Sequence, residues 1–241
     1  MNGKIIRTDS IGPPVRAEMY DLFSSQFDGV SPRQFERDLV DKNWALLMRD
    51  DDERLVCFSS MRFYYSSIGG RKIALLFSGD TVVDSSTWGD SALSYYWMGA
   101  VDWLRRRYKT NKLYWFLIVS GYRTYRFLPV YSEYFYPRFD ERTPADIQSL
   151  MHSIGTERFK EQYDPESGIV RLEAPAVLKG DFRGIPEHRL KDPHIAYFSE
   201  RNPGHVDGDE LLCFAELSED KLTRLGKRMW RKGRALFPDG V

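Results

Sequence analysis

The sequence predicts a mixed α+β fold: a central, mostly antiparallel, twisted sheet flanked by helices, with a helical insertion and a C-terminal elaboration. Three observations predict it. Strand-like segments form a meander over residues 44–84, the apolar repeat switches to helical spacing from Ser91, and a nearly all-apolar segment follows at 111–120. A strand, crossover helix and strand in that order implies parallel pairing, or close neighbourhood, in one sheet.

The chain opens with a short strand at 4–7. After Gly12-Pro13-Pro14, the side chains of Met19, Leu22, Phe23 and Phe27 fall on one helical face. Ser31-Pro32 offers an N-cap and a first-turn proline to a second helix, PRQFERDLVD. WALLMRD (44–50) and RLVCFSSMRFYYS (54–66) flank an acidic turn as a hairpin, and Gly69-Gly70 turns the chain into KIALLFSGDTVVD (72–84). Leu93, Trp97, Ala100, Val101 and Leu104 recur at helical spacing, and Arg105, Arg106 and Arg107 close that helix where cations suit its dipole. NKLYWFLIVS (111–120) is the pattern of a strand buried on both faces.

Gly121 opens a helix expected to break at Pro129 and to end before Pro137. PADIQSLMHSIGTERFKEQY (144–163) is a further helix, GIVRLE a short strand, and 175–193 a stretch punctuated by Pro and Gly. HIAYFSE (194–200) and ELLCFAEL (210–217) are expected as two strands joined by RNPGHVDGD, with a basic final helix at 218–234.

Composition narrows the function. Lysine plus arginine and aspartate plus glutamate balance at 35 each, so no global field favours nucleic acid. Cys57 and Cys213 lie in apolar runs without C-x-x-C spacing and read as buried free thiols. No run has the length of a membrane span, and MNGKIIRTDS lacks an apolar signal core, so a cytoplasmic location is expected. Aromatic residues make up 15% of the chain, enough for a thick core or for a pocket that takes a large apolar ligand. G-x-S-x-G, Walker and Rossmann signatures are missing, which sets aside hydrolase, nucleotidyl and nicotinamide chemistry.

The order of elements resembles the GNAT superfamily of acyltransferases. On this sequence FSGDTVVD matches that family's fourth strand, SSTWGDSA its R/Q-x-x-G-x-G/A pyrophosphate turn, SALSYYWMGAVDWLRRR the following helix and KLYWFLIVS its fifth strand. The resemblance implies that these two strands splay apart to admit a pantetheine arm. It covers 4–135, with 194–217 as the closing hairpin, and implies one domain over 1–241 with an insertion at 140–193 and the C-terminal helix at 218–234.

Carrier contacts are then expected from Thr81, Val82, Val83, Trp88, Gly89, Asp90, Ser91 and Ala92. Aligned on Gly89, the family's Arg/Gln falls at Ser86 and its second glycine at Ser91, and a glycine-poor loop brings fewer backbone N–H groups to a diphosphate. Asp90 adds a negative charge there, although a carboxylate also suits a helix's first turn. Some members of the family take acyl groups from acyl carrier proteins. The expected co-substrate is therefore acyl-CoA or an acyl carrier protein, with no tightly bound cofactor.

Acyl transfer to an amine needs a base, oxyanion donors and an acid for the leaving thiolate. Asp80 is the candidate base, on one face of its strand with Asp84; Ser78, Asp80 and Asp84 equally suit a bulge and a strand end. Tyr125 and Tyr122 are candidate acids, at the position where the resemblance implies a tyrosine. Arg123 and Arg126 can hold an anionic substrate or a carrier phosphate by bidentate contacts. Ser78, Asp84 and His205 complete the expected substrate set, and DPH with NPGHVDGDE lacks a metal-ligand spacing. The expected activity is acyl transfer from a thioester carrier to an amine of a small molecule, in specialised metabolism. The rivals are an inert binding module of the same fold, with the basic final helix as its docking surface, and a decarboxylase or cyclase on that scaffold.

Overall fold

The computed structural model describes residues 1–87, 89 and 91–238. In chain order it contains β1 (Asn2–Arg7), α1 (Pro13–Gln26), β2 (Phe27–Asp28), α2 (Pro32–Val40), β3 (Trp44–Arg49), β4 (Leu55–Ile68), β5 (Arg71–Val83), α3 (Ala92–Arg107) and β6 (Leu113–Val119). There follow α4 (Tyr122–Tyr125), α5 (Phe127–Tyr131), β7 (Phe135–Tyr136), α6 (Ala145–Phe159), β8 (Tyr163–Asp164), β9 (Ile169–Val170), β10 (Val177–Leu178), α7 (Pro193–Arg201), β11 (Glu210–Glu216) and α8 (Arg224–Leu236).

The main sheet runs β1-β3-β4-β5-β6-β11-β9-β8, and β7 lies beside β9 along the outer edge of β11. Every pairing is antiparallel except β5 with β6. That exception is the crossover through α3 predicted from the change of period. Local chemistry sets the helix starts: Ser31 accepts from the Gln34 N–H at 3.2 Å, and Thr223 accepts from the Gly226 N–H at 2.9 Å.

Four expectations are corrected. HIAYFSE is helix α7, because the Asp192 carboxylate accepts from the His194 N–H at 3.0 Å, Pro193 takes the first position, and Ile195 and Phe198 bury one face. In a run this apolar either period fits, and the cap decides. No closing hairpin forms, and β11 pairs with β6 on one side and with β7 and β9 on the other. The helical break falls at Arg126, leaving Pro129 in the first turn of α5 where its missing N–H has no helical acceptor to lose. The final helix starts at Arg224 rather than 218, where the Thr223 cap places it.

Helices cover both faces of the sheet. On one face α3, α4, α5, α7 and α8 share a continuous core with sheet residues such as Leu76, Trp115, Leu117 and Cys213. On the other face the core is divided. Helices α1 and α2 pack with Ala45, Leu47, Phe58 and Val82, whereas α6 packs with Leu75, Phe77, Phe116 and Leu212. Asp80 stands between Phe77 and Val82 on β5, in the seam between these two clusters.

Helices α3 and α8 cross closely enough that a Cβ on Gly233 would lie 2.2 Å from the Tyr95 carbonyl, and one on Gly99 would lie 2.4 Å from the Gly233 carbonyl. Beside the crossing, fully buried Asp102 pairs with Arg105 and Arg106 at 3.1 and 2.9 Å. Both obstructing atoms at the glycines are backbone, so an added methyl must push the helices apart. Gly233→Ala is expected to cost about 1–3 kcal/mol, lowering Tm by several degrees. A thermal melt that matches the wild type would show that the helices do not meet there.

Candidate functional site

The centre of the sheet is opened by two irregularities in β5. Met61 pairs with Ser78 and Ser59 with Thr81, so one residue of β4, Ser60, faces two of β5, Gly79 and Asp80. This is a β-bulge, which bends its strand and re-aims its side chains. A Cβ at Gly79 would lie 2.5 Å from Lys42 Cε and 2.6 Å from Ser60 Oγ, so a side chain there would displace the lysine and the hydroxyl. Just before the bulge the parallel pairing stops: β5 and β6 are bonded from Ala74–Leu113 to Phe77–Phe116 and no further, although β5 runs on to Val83 and β6 to Val119. Beyond Phe77 the two strands part.

A cavity of about 410 Å³ occupies the seam and the gap. Phe77, Phe159, Phe23 and Phe27 supply apolar wall, and Trp97 and Trp115 close it from the α3 side. Four carboxyls line it, those of Asp38, Asp80, Glu173 and Glu210, beside Arg37, Lys42 and Arg158. Asp41 ties down two of these cations: it accepts from Lys42 Nζ at 3.3 Å and from Arg158, and also from Arg62 on β4. The Arg158 guanidinium lies 3.9 Å over the Phe77 ring.

Asp80 and Glu210 stand apart from that network. Among the described residues neither carboxyl has an ion pair within 4.0 Å, and Asp80 accepts a hydrogen bond from its own backbone N–H. They keep some contact with the cavity interior yet are enclosed by protein. Burial pushes Asp80 up to about 6, against the opposing pull of the Lys42 charge. Burial, with the nearby negative charge of Asp80, pushes Glu210 up to about 8. Near neutrality the pair holds one ionised and one protonated carboxyl.

On the opposite, α3-bearing face a second cavity of about 610 Å³ reaches the same gap, and both cavities are lined by Phe27, Thr81, Leu93, Thr124 and Phe127. Val83, Gly89, Ala92, Tyr122, Arg123 and Arg126 line this side. Gly89 has φ of 98°, the left-handed region, and a Cβ there would meet nothing within 4 Å. Its glycine thus serves the turn, not close packing.

The sequence-derived candidates divide accordingly. Ser78 lines the first cavity and accepts from Trp115 Nε1 at 2.8 Å; Val82 lines it too, and Thr81 shares a hydroxyl contact of 2.8 Å with Ser59. Asp84 lies in neither cavity: it accepts from the Ser86 N–H and hydroxyl, which hold its carboxyl below the usual range, and it pairs with Arg54. Ser91 stands at the N-cap of α3 without a side-chain cap bond. Tyr125 is buried outside both cavities, donating to the Pro137 carbonyl at 2.8 Å. His205 is also outside them, stacked on Phe198 with centroids 5.5 Å apart. Trp88 and Asp90 lie outside the described residues. Among the described residues no group of three or more His, Cys, Asp or Glu could hold a metal, and no helix is long and apolar enough to cross a membrane.

Strand order, the single parallel pair and its splay are those that the GNAT resemblance implies. The chain has a GNAT-like fold. Neither a protein-family model nor a curated protein matches the sequence. Among solved structures it is similar to a conserved protein of unknown function from Enterococcus faecalis V583, described as a probable N-acyltransferase, at 18% identity and TM-score 0.41, over 56% of this chain and 34% of that one. It is similar to the GNAT family N-acetyltransferase YhbS of Escherichia coli in complex with CoA at 13% identity and TM-score 0.36, over 48% of this chain and 62% of that one. Tetrahymena GCN5 aligns at 10% identity and TM-score 0.43, over 61% of this chain and 84% of that one. The chain thus spans about a third of the length of the Enterococcus protein. What ties it to the fold is strand order and splay, since partial superpositions of this size carry no argument by themselves.

Glu210, Lys42 and Arg158 are site residues that sequence reasoning missed. Glu210 was legible only as part of an acidic loop, because the register of β11 against β6 decides that it faces the same side as Asp80. The pH dependence of stability tests the pair. A carboxyl raised from 3.8 to about 6 favours folding below its unfolded value and loses that contribution as pH rises through 6. Asp80→Asn is therefore expected to be more stable than the wild type above pH 6, on the order of 2 kcal/mol, with the gain vanishing near pH 4. Glu210→Gln should show its gain at higher pH, reaching full size above pH 8. Melting curves from pH 4 to 9 that run parallel for all three proteins would contradict the buried placement.

Proposed function

We propose that this chain transfers an acyl group from a thioester carrier to an amine. One observation carries the reading: the β5–β6 splay joins a carboxyl-lined chamber on one face of the sheet to an arginine-lined cavity on the other. A thioester arm entering from the α3 side runs along the open edge of β5 around Thr81–Val83, where strand backbone can pair with its amides. The acceptor occupies the chamber across the gap.

In this reading Asp80 removes a proton from the acceptor ammonium and the free amine attacks the thioester carbonyl. The C–N bond forms and the C–S bond breaks. The oxyanion's donor in this reading is strand backbone of β5 beside the bulge. Tyr122 lines the carrier cavity and is the better-placed donor for the leaving thiolate, whereas the Tyr125 hydroxyl is already committed to Pro137. The proton taken by Asp80 returns to solvent, and the second proton lost by the attacking nitrogen replaces the one that Tyr122 gives to the thiolate. A base titrating near 6 is ionised at neutral pH yet basic enough to act.

The donor is found by thermal-shift titration with CoA, acetyl-CoA, a long-chain acyl-CoA and an acyl carrier protein, since a ligand of the folded state raises Tm by mass action. With that donor, Asp80→Asn is expected to lower kcat/KM about 100- to 10,000-fold and to remove the limb of the pH profile near 6. Unchanged turnover and an unchanged profile would remove Asp80 as the base.

A further inference from the structure

The two cavities differ in charge as much as in position. The chamber on the divided face is lined by four carboxyls, while the cavity beside α3 is lined by Arg123, Arg126 and Arg189 and, among the described residues, by no aspartate or glutamate. All three arginines stand on the bank away from the β5–α3 turn. Arg123 belongs to α4, Arg126 joins α4 to α5, and Arg189 lies just before α7.

Two of these side chains are held by their surroundings. The Arg123 guanidinium lies 4.7 Å from the Tyr122 ring and donates to the Phe182 carbonyl at 3.3 Å. Arg126 donates to Asp192, whose other carboxylate oxygen caps α7. A guanidinium carries five N–H donors in a fixed fork, and these contacts fix the orientation of the forks of Arg123 and Arg126. From the turn, Thr87 and Gly89 line this cavity among the described residues.

We infer that the Arg123–Arg126–Arg189 bank is the phosphate site of this protein, holding the phosphate end of a phosphopantetheine arm from the side of the gap opposite the β5–α3 turn. The inference rests on the reading of the splay as a thioester slot. It assigns phosphate recognition to charged side chains where the turn is poor in backbone donors.

Calorimetric titration of the full chain with pantetheine and phosphopantetheine tests it. The wild type is expected to bind phosphopantetheine at least about tenfold more tightly than pantetheine, because charge-assisted bonds to phosphate are strong. Arg189→Ala and Arg123→Gln should each cut that preference several-fold, leave pantetheine affinity unchanged and weaken the salt dependence. Arg189 is exposed, so its variant carries the test should Arg123→Gln fold poorly. Parallel titrations with CoA and with a holo acyl carrier protein separate the sources of the arm, the tighter of the two marking the natural carrier. If the wild type binds both pantetheines equally, or if folded variants keep the full preference, the arginine bank is not the phosphate site and the thioester slot stands. If the wild type binds none of the four ligands, both readings fall.

Discussion

Everything at the centre of this molecule follows from the end of one parallel ladder. Up to Phe77 and Phe116 the two strands share hydrogen bonds; beyond them β5 bulges toward β4 and the ladder cannot continue. A sheet interrupted at its edge would merely fray. Here the interruption lies between four strands on one side and five on the other, so helices cover the gap from both sides and enclose it. At the bulge Gly79 leaves room for Lys42, which occupies the space where a side chain would go.

That lysine illustrates how the protein keeps charge in its interior without neutralising the site. Lys42 is only 7% exposed, and Asp41 and the Asp38 carbonyl take its hydrogen bonds at 3.3 and 3.1 Å. Arg158 and Arg62 converge on the same Asp41. One carboxylate thus ties the end of α2 to β4 and to α6, the helix of the insertion. With the cations engaged there, Asp80 feels Lys42 only at a distance, and burial outweighs that attraction. Had either cation turned to Asp80, its carboxyl would fall into the ordinary range and lose basicity at neutral pH.

The stretch from α6 to β10 therefore takes part in the site. Arg158, Phe159 and Gln162 of α6 and the turn after it, with Leu172–Ala174 beyond β9, line the chamber. Most of the chamber's other lining residues, Phe23 to Phe127 and Glu210, lie within the stretches that carry the resemblance.

The sequence by itself determined the scaffold as far as β6. Periodicity marked α1 and α3, Ser31-Pro32 marked α2, glycines and acidic residues marked the turns of the meander, and the all-apolar 113–119 run could only be a central strand. Those signals are local, so they survive without the fold. Asp80 was legible for the same reason, as a carboxylate in an otherwise apolar strand. The tertiary structure alone decided the rest. Between 194 and 200 an apolar run satisfied both periods until the Asp192 cap selected a helix. Whether Tyr122 or Tyr125 reaches the gap depends on the rotation of one short helix, and Glu210 meets Asp80 only through the register of β11 against β6, 130 residues away in sequence. Such choices are set by packing across the sheet, and no window of neighbouring residues contains that information.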